Sequence, residues 1–94
     1  MKYELMIILK PLLPEDIRAS VLKKIETFIK EQKGKVISQD VWGKRHLAYE
    51  IHKHEEGYYL VYQLELVPST IKDIYREITF MNDVLRFLLI KADK

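Results

Sequence analysis

The segment spanning residues 43–52 constrains the fold most, because it combines the alternation of a strand with a positively charged start. Leu47, Tyr49 and Ile51 occupy every second position, which is the period of a half-buried β-strand. Three basic or titratable side chains come just before this alternation: Lys44, Arg45 and His46. We therefore predict a strand with one apolar face and a basic beginning.

Composition restricts the classes of protein to which the chain can belong. Its 94 residues fit a single domain over residues 1–94, and 48% hydrophobic with 32% charged residues is typical of a folded globular chain. No apolar run approaches the length of a membrane span and no signal peptide is recognisable, so we expect no membrane partner. The absence of cysteine removes disulfides and thiolate metal sites, and we take a reducing compartment as the default.

Hydrophobic periodicity predicts four strands and two helices. Strands are expected over residues 3–9, 58–67 and 84–91 and within residues 35–51, which Gly43 could divide into two shorter strands, and helices are expected over residues 14–33 and 71–78. The first helix shows one apolar stripe at three- and four-residue steps: Ile17, Val21, Leu22, Ile25, Phe28 and Ile29.

Glycines and polar stretches predict the connections. We expect Gly34 to be a left-handed helix cap, Gly43 to make a bulge or bend, and residues 52–57 to form a hairpin turn.

This order of elements predicts an α+β fold of the ferredoxin-like split βαβ type (β-α-β-β-α-β). Its four strands would form one antiparallel sheet, with both helices on one face. The opposite face would then be uncovered and largely apolar, as contact surfaces often are. We assign six residues to it: Met6, Ile8, Tyr59, Val61, Leu88 and Ile90.

Positive side chains are the candidate functional residues. Lysine contacts a phosphate as a point charge and arginine as a fork of donors. Because the net charge is only +2, binding of nucleic acid would require the cations to lie together on one surface. The alternative is a solvated edge strand that its charges protect from aggregation. The candidate residues are Lys2, Lys44, Arg45, His46, Lys53, Arg86 and Lys91.

Other chemistry has less support in the sequence. Tyr62 shares a row with leucines and is expected in the core rather than as a platform for stacked bases, and Trp42 is also expected in the core rather than as an exposed contact aromatic. Three histidines could meet on one strand face and bind a metal: His46, His52 and His54. Two of them fall in the predicted turn, so we predict no metal and no other cofactor. With no glycine-rich phosphate loop and no nucleophile motif, we expect neither an enzyme nor a small-molecule substrate.

The central motif, Gly43-x-Arg45-His46-Leu47-Ala48-Tyr49-x-Ile51, resembles the signature of the bacterial small-subunit ribosomal protein S-six (S6) family. Further matching positions run nearly end to end, and include Tyr3-Glu4, Gly34, Gly57-Tyr58, Asn82-Asp83-Val84, Arg86 and Lys91.

This resemblance implies the ferredoxin-like fold and binding to the central domain of 16S ribosomal RNA, together with the partner ribosomal protein S-eighteen (S18). It implies that the motif cations lie near RNA or the partner, and that Leu47 and Tyr49 hold the motif strand against the core. Many members carry two cations where this chain has Arg45 and His46, so the resemblance also implies a weaker and more pH-sensitive phosphate contact.

Two hypotheses follow. The first is a non-catalytic assembly protein of the cytoplasmic ribosome, with ribosomal RNA and S18 as partners. The alternative is a ferredoxin-like ligand- or metal-sensing module that oligomerises through its open sheet face.

Overall fold

The computed structural model describes residues 1–51 and 53–92. Four strands and two helices follow one another as β1 (Lys2–Leu9), α1 (Glu15–Glu31), β2 (Lys35–Ile51), β3 (His54–Glu65), α2 (Ile71–Thr79) and β4 (Val84–Lys91). A short 3-10 turn, Pro68–Thr70, leads into α2. All strand pairs are antiparallel, in the order β2-β3-β1-β4. The predicted ferredoxin-like fold is confirmed.

The core lies between one face of the sheet and the two helices. Strand β1 is paired on both edges, and its side chains under the helices are fully buried at Leu5, Ile7 and Leu9; burying one such aliphatic side chain contributes about 1.5–3 kcal/mol. The buried cluster contains residues from both helices, from the two central strands and from the residue that follows β3: Leu5, Ile7, Leu9, Val21, Ile25, Ile29, Leu60, Tyr62, Leu64, Leu66, Ile74 and Ile78. Within the described ranges, neither helix has the length and apolar character needed to cross a bilayer.

Tyr62 is the largest side chain in this core, and its hydroxyl is fully paired. The hydroxyl donates to Oε2 of Glu26 at 2.6 Å and accepts from Nε2 of Gln39 at 3.0 Å. These two bonds connect β3 to α1 and to the edge strand β2. The prediction that Tyr62 belongs to the core is confirmed, since none of its surface is exposed.

The C-terminal end of α1 differs from the prediction. Lys33, not Gly34, has the left-handed backbone, with φ of +65°. The amide of Gly34 donates to the carbonyl of Ile29 at 2.8 Å, and that of Lys33 to Lys30 at 2.9 Å, which together form a Schellman motif. A Cβ on Gly34 would lie 2.8 Å from Cδ2 of Leu66, so glycine is needed there for space.

Candidate nucleic-acid interface

The β2–β3 hairpin extends beyond the rest of the sheet. Strand β1 ends at Leu9, which lies opposite Tyr58 of β3. Strand β2 has already reached Lys44 at that level and continues to Ile51, while β3 begins at His54. The basic part of the motif therefore lies on a two-stranded ribbon at one end of the molecule. The turn was predicted over residues 52–57, but β3 starts earlier and Gly57 lies inside that strand.

Gly43 forms the predicted bulge in β2. The pairing register with β3 shifts between Val41 and Gly43, and Gly43 has φ of +81°. An added Cβ there would meet no atom within 4 Å, so the requirement for glycine is conformational.

Regular pairing resumes after the bulge and separates the consecutive cations. Lys44 lies opposite Tyr58, Arg45 opposite Gly57 and His46 opposite Glu56. Because strand side chains alternate between faces, Lys44 and His46 belong to the helix side and Arg45 to the open side. Strand β2 is an edge strand, so a ligand lying along that edge can reach both sides.

Arg45 lies at the surface and has no acidic partner among the residues that the structure describes. Its guanidinium carbon lies 5.8 Å from the centroid of the Trp42 ring, and its Nε donates to the Trp42 carbonyl at 3.4 Å. Across residues 1–51 and 53–92, ion pairs join Lys10 to Asp83 and His46 to Glu56, and neither involves Lys44 or Arg45. The positive charge of these two side chains is therefore available to an external anion.

Trp42 is part of this surface, contrary to the prediction that it belongs to the core. The side chain is 41% exposed, and its indole nitrogen donates to Oδ2 of Asp40 at 3.1 Å. Its ring stacks on Tyr59 with centroids 6.2 Å apart and planes within 8°. The bulge at Gly43 places Trp42 beside Tyr59 on the open side of the sheet. The sequence signal that could have indicated this exposed position is the Trp42-Gly43 pair, which comes just before the basic residues.

Arg86 joins the hairpin from the other edge of the sheet. It lies opposite Ile8, which places it on the open side, and its guanidinium donates to the hydroxyl of Tyr49. Its guanidinium carbon is 5.7 Å from the Tyr49 ring centroid. The implied role of Tyr49 in holding the motif strand against the core is wrong, because Tyr49 is 59% exposed and instead contacts Arg86.

The open sheet face is partly covered by the chain itself. We predicted an uncovered patch, but Ile8 and Val61 are only 8% and 7% exposed. Gly57 leaves room for Leu47 to lie beside Ile8, so Leu47 holds the hairpin onto the open face and not onto the core beneath the helices. A cleft of about 620 Å³ remains between the hairpin and β4, and the outer side chains of β4 stay exposed: Leu88 at 53% and Ile90 at 45%.

The predicted cations fall into two groups. Lys2 and Lys91 lie at the opposite end of the sheet from Arg86: Lys2 is six positions along β1 from Ile8, or about 20 Å. Glu65 lies opposite both Lys2 and Lys35 and offsets the charge there. The other five residues lie on the hairpin or, in the case of Arg86, contact it through Tyr49, and we term them the hairpin cluster: Lys44, Arg45, His46, Lys53 and Arg86.

The histidines do not assemble a metal site in the part of the chain that the structure describes. No group of three or more histidine, cysteine, aspartate or glutamate side chains there is arranged to hold a metal ion. His46 lies 3.9 Å from Glu56, and His54 belongs to β3. His52, the third histidine considered as a ligand, lies outside the described residues.

Comparisons with known proteins agree with this architecture. A family described as ribosomal protein S6 matches residues 2–91. The small ribosomal subunit protein bS6 of Mycobacterium tuberculosis (strain H37Rv) is 40% identical over 92 residues, covering 98% of this chain and 96% of that protein. The bS6 protein of Mycobacterium leprae is 39% identical over 95 residues, with the same coverage of 98% and 96%.

A solved structure shows the same fold. The crystal structure of ribosomal protein S6 from Thermotoga maritima aligns with a TM-score of 0.91 at 27% identity, covering 97% of this chain and 86% of that one. With the family match running from residue 2 to residue 91 and the sequence relatives aligned over almost their whole length, the chain belongs to the ribosomal protein S6 family.

Proposed function

We propose that this chain is a non-catalytic constituent of the small subunit of the cytoplasmic ribosome. It binds the backbone of the central domain of 16S ribosomal RNA through the hairpin cluster, and it docks ribosomal protein S18 during assembly. The observation that supports this most is that Arg45 is exposed on a hairpin that projects from the sheet and forms no ion pair with any described residue. Family membership gives the setting in which this surface works.

Phosphate neutralisation supplies the RNA contact in this proposal. A guanidinium can donate two parallel hydrogen bonds to one phosphate, whereas lysine contributes a compact charge. Because Arg45 and Lys44 reach out from both sides of an edge strand, a sugar-phosphate backbone running along that edge can touch both. Such contacts fix the position of the protein on RNA without reading its base sequence.

Apolar burial supplies the contact with the second protein. The cleft between the hairpin and β4 is lined by apolar side chains that include Met6, Leu47 and Leu88. Leu88 and Ile90 extend this apolar surface along β4. Exposed apolar patches of this kind are typical of protein interfaces.

The two contacts together predict cooperative binding. A net charge of only +2 gives the lone protein little excess positive charge, so it should bind RNA weakly. A partner that binds the same complex through apolar burial stabilises it by mass action. We therefore expect S18 to raise the affinity for central-domain RNA by about tenfold or more, which corresponds to 1.4 kcal/mol.

The test is a titration of fluorescently labelled central-domain RNA with this protein, with and without saturating S18. A matched titration with RNA of unrelated sequence and equal length measures non-specific binding. Tight binding by the lone protein that S18 leaves unchanged would contradict the cooperative mechanism. Absence of binding in both titrations would contradict the proposed function as a whole.

A further inference from the structure

We propose that Trp42 is the positioning residue for Arg45: it orders the Arg45 guanidinium beforehand so that the outer donors of the fork face an RNA phosphate. This inference rests on the proposed function and identifies which neighbouring side chain makes the phosphate contact effective. It concerns a tryptophan that the sequence analysis assigned to the core.

Three side chains form an ordered stack on the open side of the sheet. The Tyr59 ring lies at the base and the Trp42 ring stacks on it, 6.2 Å away and nearly parallel. The Arg45 guanidinium lies over the Trp42 ring, 5.8 Å from its centroid. The stack therefore runs outward from the sheet to the exposed cation.

Trp42 is held from a second direction as well. Its indole nitrogen donates to Asp40 at 3.1 Å, which fixes the rotation of the ring in addition to the contact with Tyr59. Gly43, with φ of +81°, turns the backbone so that Arg45 comes back towards the residue three positions before it. The local sequence thus places an aromatic ring, held by Tyr59 and Asp40, beneath the Arg45 guanidinium.

The hydrogen bonds of Arg45 determine which of its donors are available. Its Nε, the donor nearest the backbone, bonds to the Trp42 carbonyl at 3.4 Å. The terminal nitrogens make no hydrogen bond or ion pair within residues 1–51 and 53–92. An arginine held in this way loses less rotamer freedom when it binds an anion than one that moves freely in water.

The stack also argues against Trp42 as a platform for an RNA base. The Trp42 ring already stacks with Tyr59 and lies under the Arg45 guanidinium, so a base could take the place of the guanidinium only by displacing it. We therefore infer that Trp42 acts on RNA through Arg45 and does not contact it.

A double-mutant cycle tests this inference. The affinity for central-domain RNA, with S18 present, is measured for wild type, Trp42→Leu, Arg45→Ala and the double variant. Because a cation–π contact of this exposed kind is modest, we expect Trp42→Leu to weaken binding about three- to fivefold. The same substitution should have no further effect once Arg45 is alanine. Trp42→Phe, which keeps a ring beneath the guanidinium, should restore most of the affinity, and circular dichroism checks that each variant is folded.

The outcomes separate this inference from the proposed function. If Trp42→Leu weakens binding equally in the Arg45→Ala background, Trp42 contacts RNA directly and the positioning role is wrong. If Arg45→Ala weakens binding while Trp42→Leu has no effect, the positioning role is also wrong but the phosphate contact stands. If neither substitution alters RNA affinity, it is the proposed function of the hairpin cluster that fails.

Discussion

Replacing Gly57 with valine is expected to lower the free energy of unfolding by about 3 kcal/mol, because the side chain would enter a filled space. Gly57 is buried within β3, where an added Cβ would collide with Cγ2 of Ile8 and lie 3.3 Å from Cδ2 of Leu47. The main-chain oxygen of Leu9 is 3.6 Å from the same position. The hairpin would have to lift off the sheet to admit the new side chain. Urea denaturation of wild type, Gly57→Ala and Gly57→Val should show a loss that grows with side-chain size.

Gly43 offers a matched control, because glycine is needed there for its backbone conformation and not for space. An added Cβ there meets nothing within 4 Å, but the backbone is left-handed, with φ of +81°. Gly43→Ala should cost about 1–2 kcal/mol, and Gly43→Asn should cost less because asparagine tolerates this conformation better. If Gly57→Val were no more destabilising than Gly43→Ala, the close packing of the hairpin on Ile8 would be wrong.

Tyr62→Phe is expected to reduce the free energy of unfolding by about 2 kcal/mol. The substitution removes a hydroxyl that donates to the Glu26 carboxylate at 2.6 Å and accepts from Gln39 at 3.0 Å. Hydrogen bonds to charged groups contribute about 1.5–3 kcal/mol, and both partners would lose a bond made inside the protein. Chemical denaturation at neutral pH measures the loss, and an unchanged stability would show that this network contributes nothing net.

The same hydroxyl makes stability depend on pH in the alkaline range. Burial raises the pKa of Tyr62 well above its ordinary value of 10.0, because it penalises the charged phenolate. The hydrogen bond to Glu26 and the negative charge of that carboxylate raise the pKa further. A raised pKa means that the folded state holds this proton more tightly than the unfolded state does. Its contribution is therefore complete below about pH 10 and is lost as the pH rises from there towards the folded-state pKa.

Denaturation curves between about pH 8 and pH 11 test this dependence. Wild type should lose stability steeply at the alkaline end, and Tyr62→Phe should lose less because it lacks the proton in question. Tyr75→Phe is the control variant. Because Tyr75 is 52% exposed, its replacement should leave the wild-type dependence of stability on pH unchanged. Equal alkaline slopes for wild type and Tyr62→Phe would contradict the role assigned to the hydroxyl.

The fold could be predicted because its signal is local. The periodicity of β4 indicated the bounds that the structure has, Val84–Lys91, and β2 was predicted within the range that it fills, Lys35–Ile51. The order of the elements then left few topologies open. Glycines were harder to interpret, because Gly34 and Gly57 are required by side chains distant in sequence, Leu66 and Ile8. Gly43, by contrast, forms the bulge that its position in the strand predicted, and it does so with a positive φ.

The site could be predicted by residue type but not by arrangement. Positive side chains were identified along the whole chain, yet their division into the hairpin cluster and the distant pair of Lys2 and Lys91 depends on strand register. The position of Trp42 depends on which side of the sheet the bulge turns it to, and the contact of Tyr49 with Arg86 joins opposite edges of the sheet. Neither relation leaves a signal in local periodicity.

A matched pair of double variants can test whether RNA binds at the hairpin, as proposed. Lys44→Ala with Arg45→Ala, and Lys2→Ala with Lys91→Ala, each remove two positive charges, so their effects on net charge are identical. Affinity for central-domain RNA would be measured with S18 present over a range of salt concentrations. Both double variants should unfold at nearly the wild-type temperature, since all four side chains are exposed.

We predict that the hairpin variant binds RNA about tenfold more weakly. The slope of the logarithm of its binding constant against the logarithm of salt concentration should become shallower by about 1.4–1.8, as expected for two lost phosphate contacts. The variant lacking Lys2 and Lys91 should change affinity by less than about twofold, as expected for distant charges that salt screens. Equal losses in the two variants, or a larger loss without Lys2 and Lys91, would contradict the assignment of the RNA contact to the hairpin.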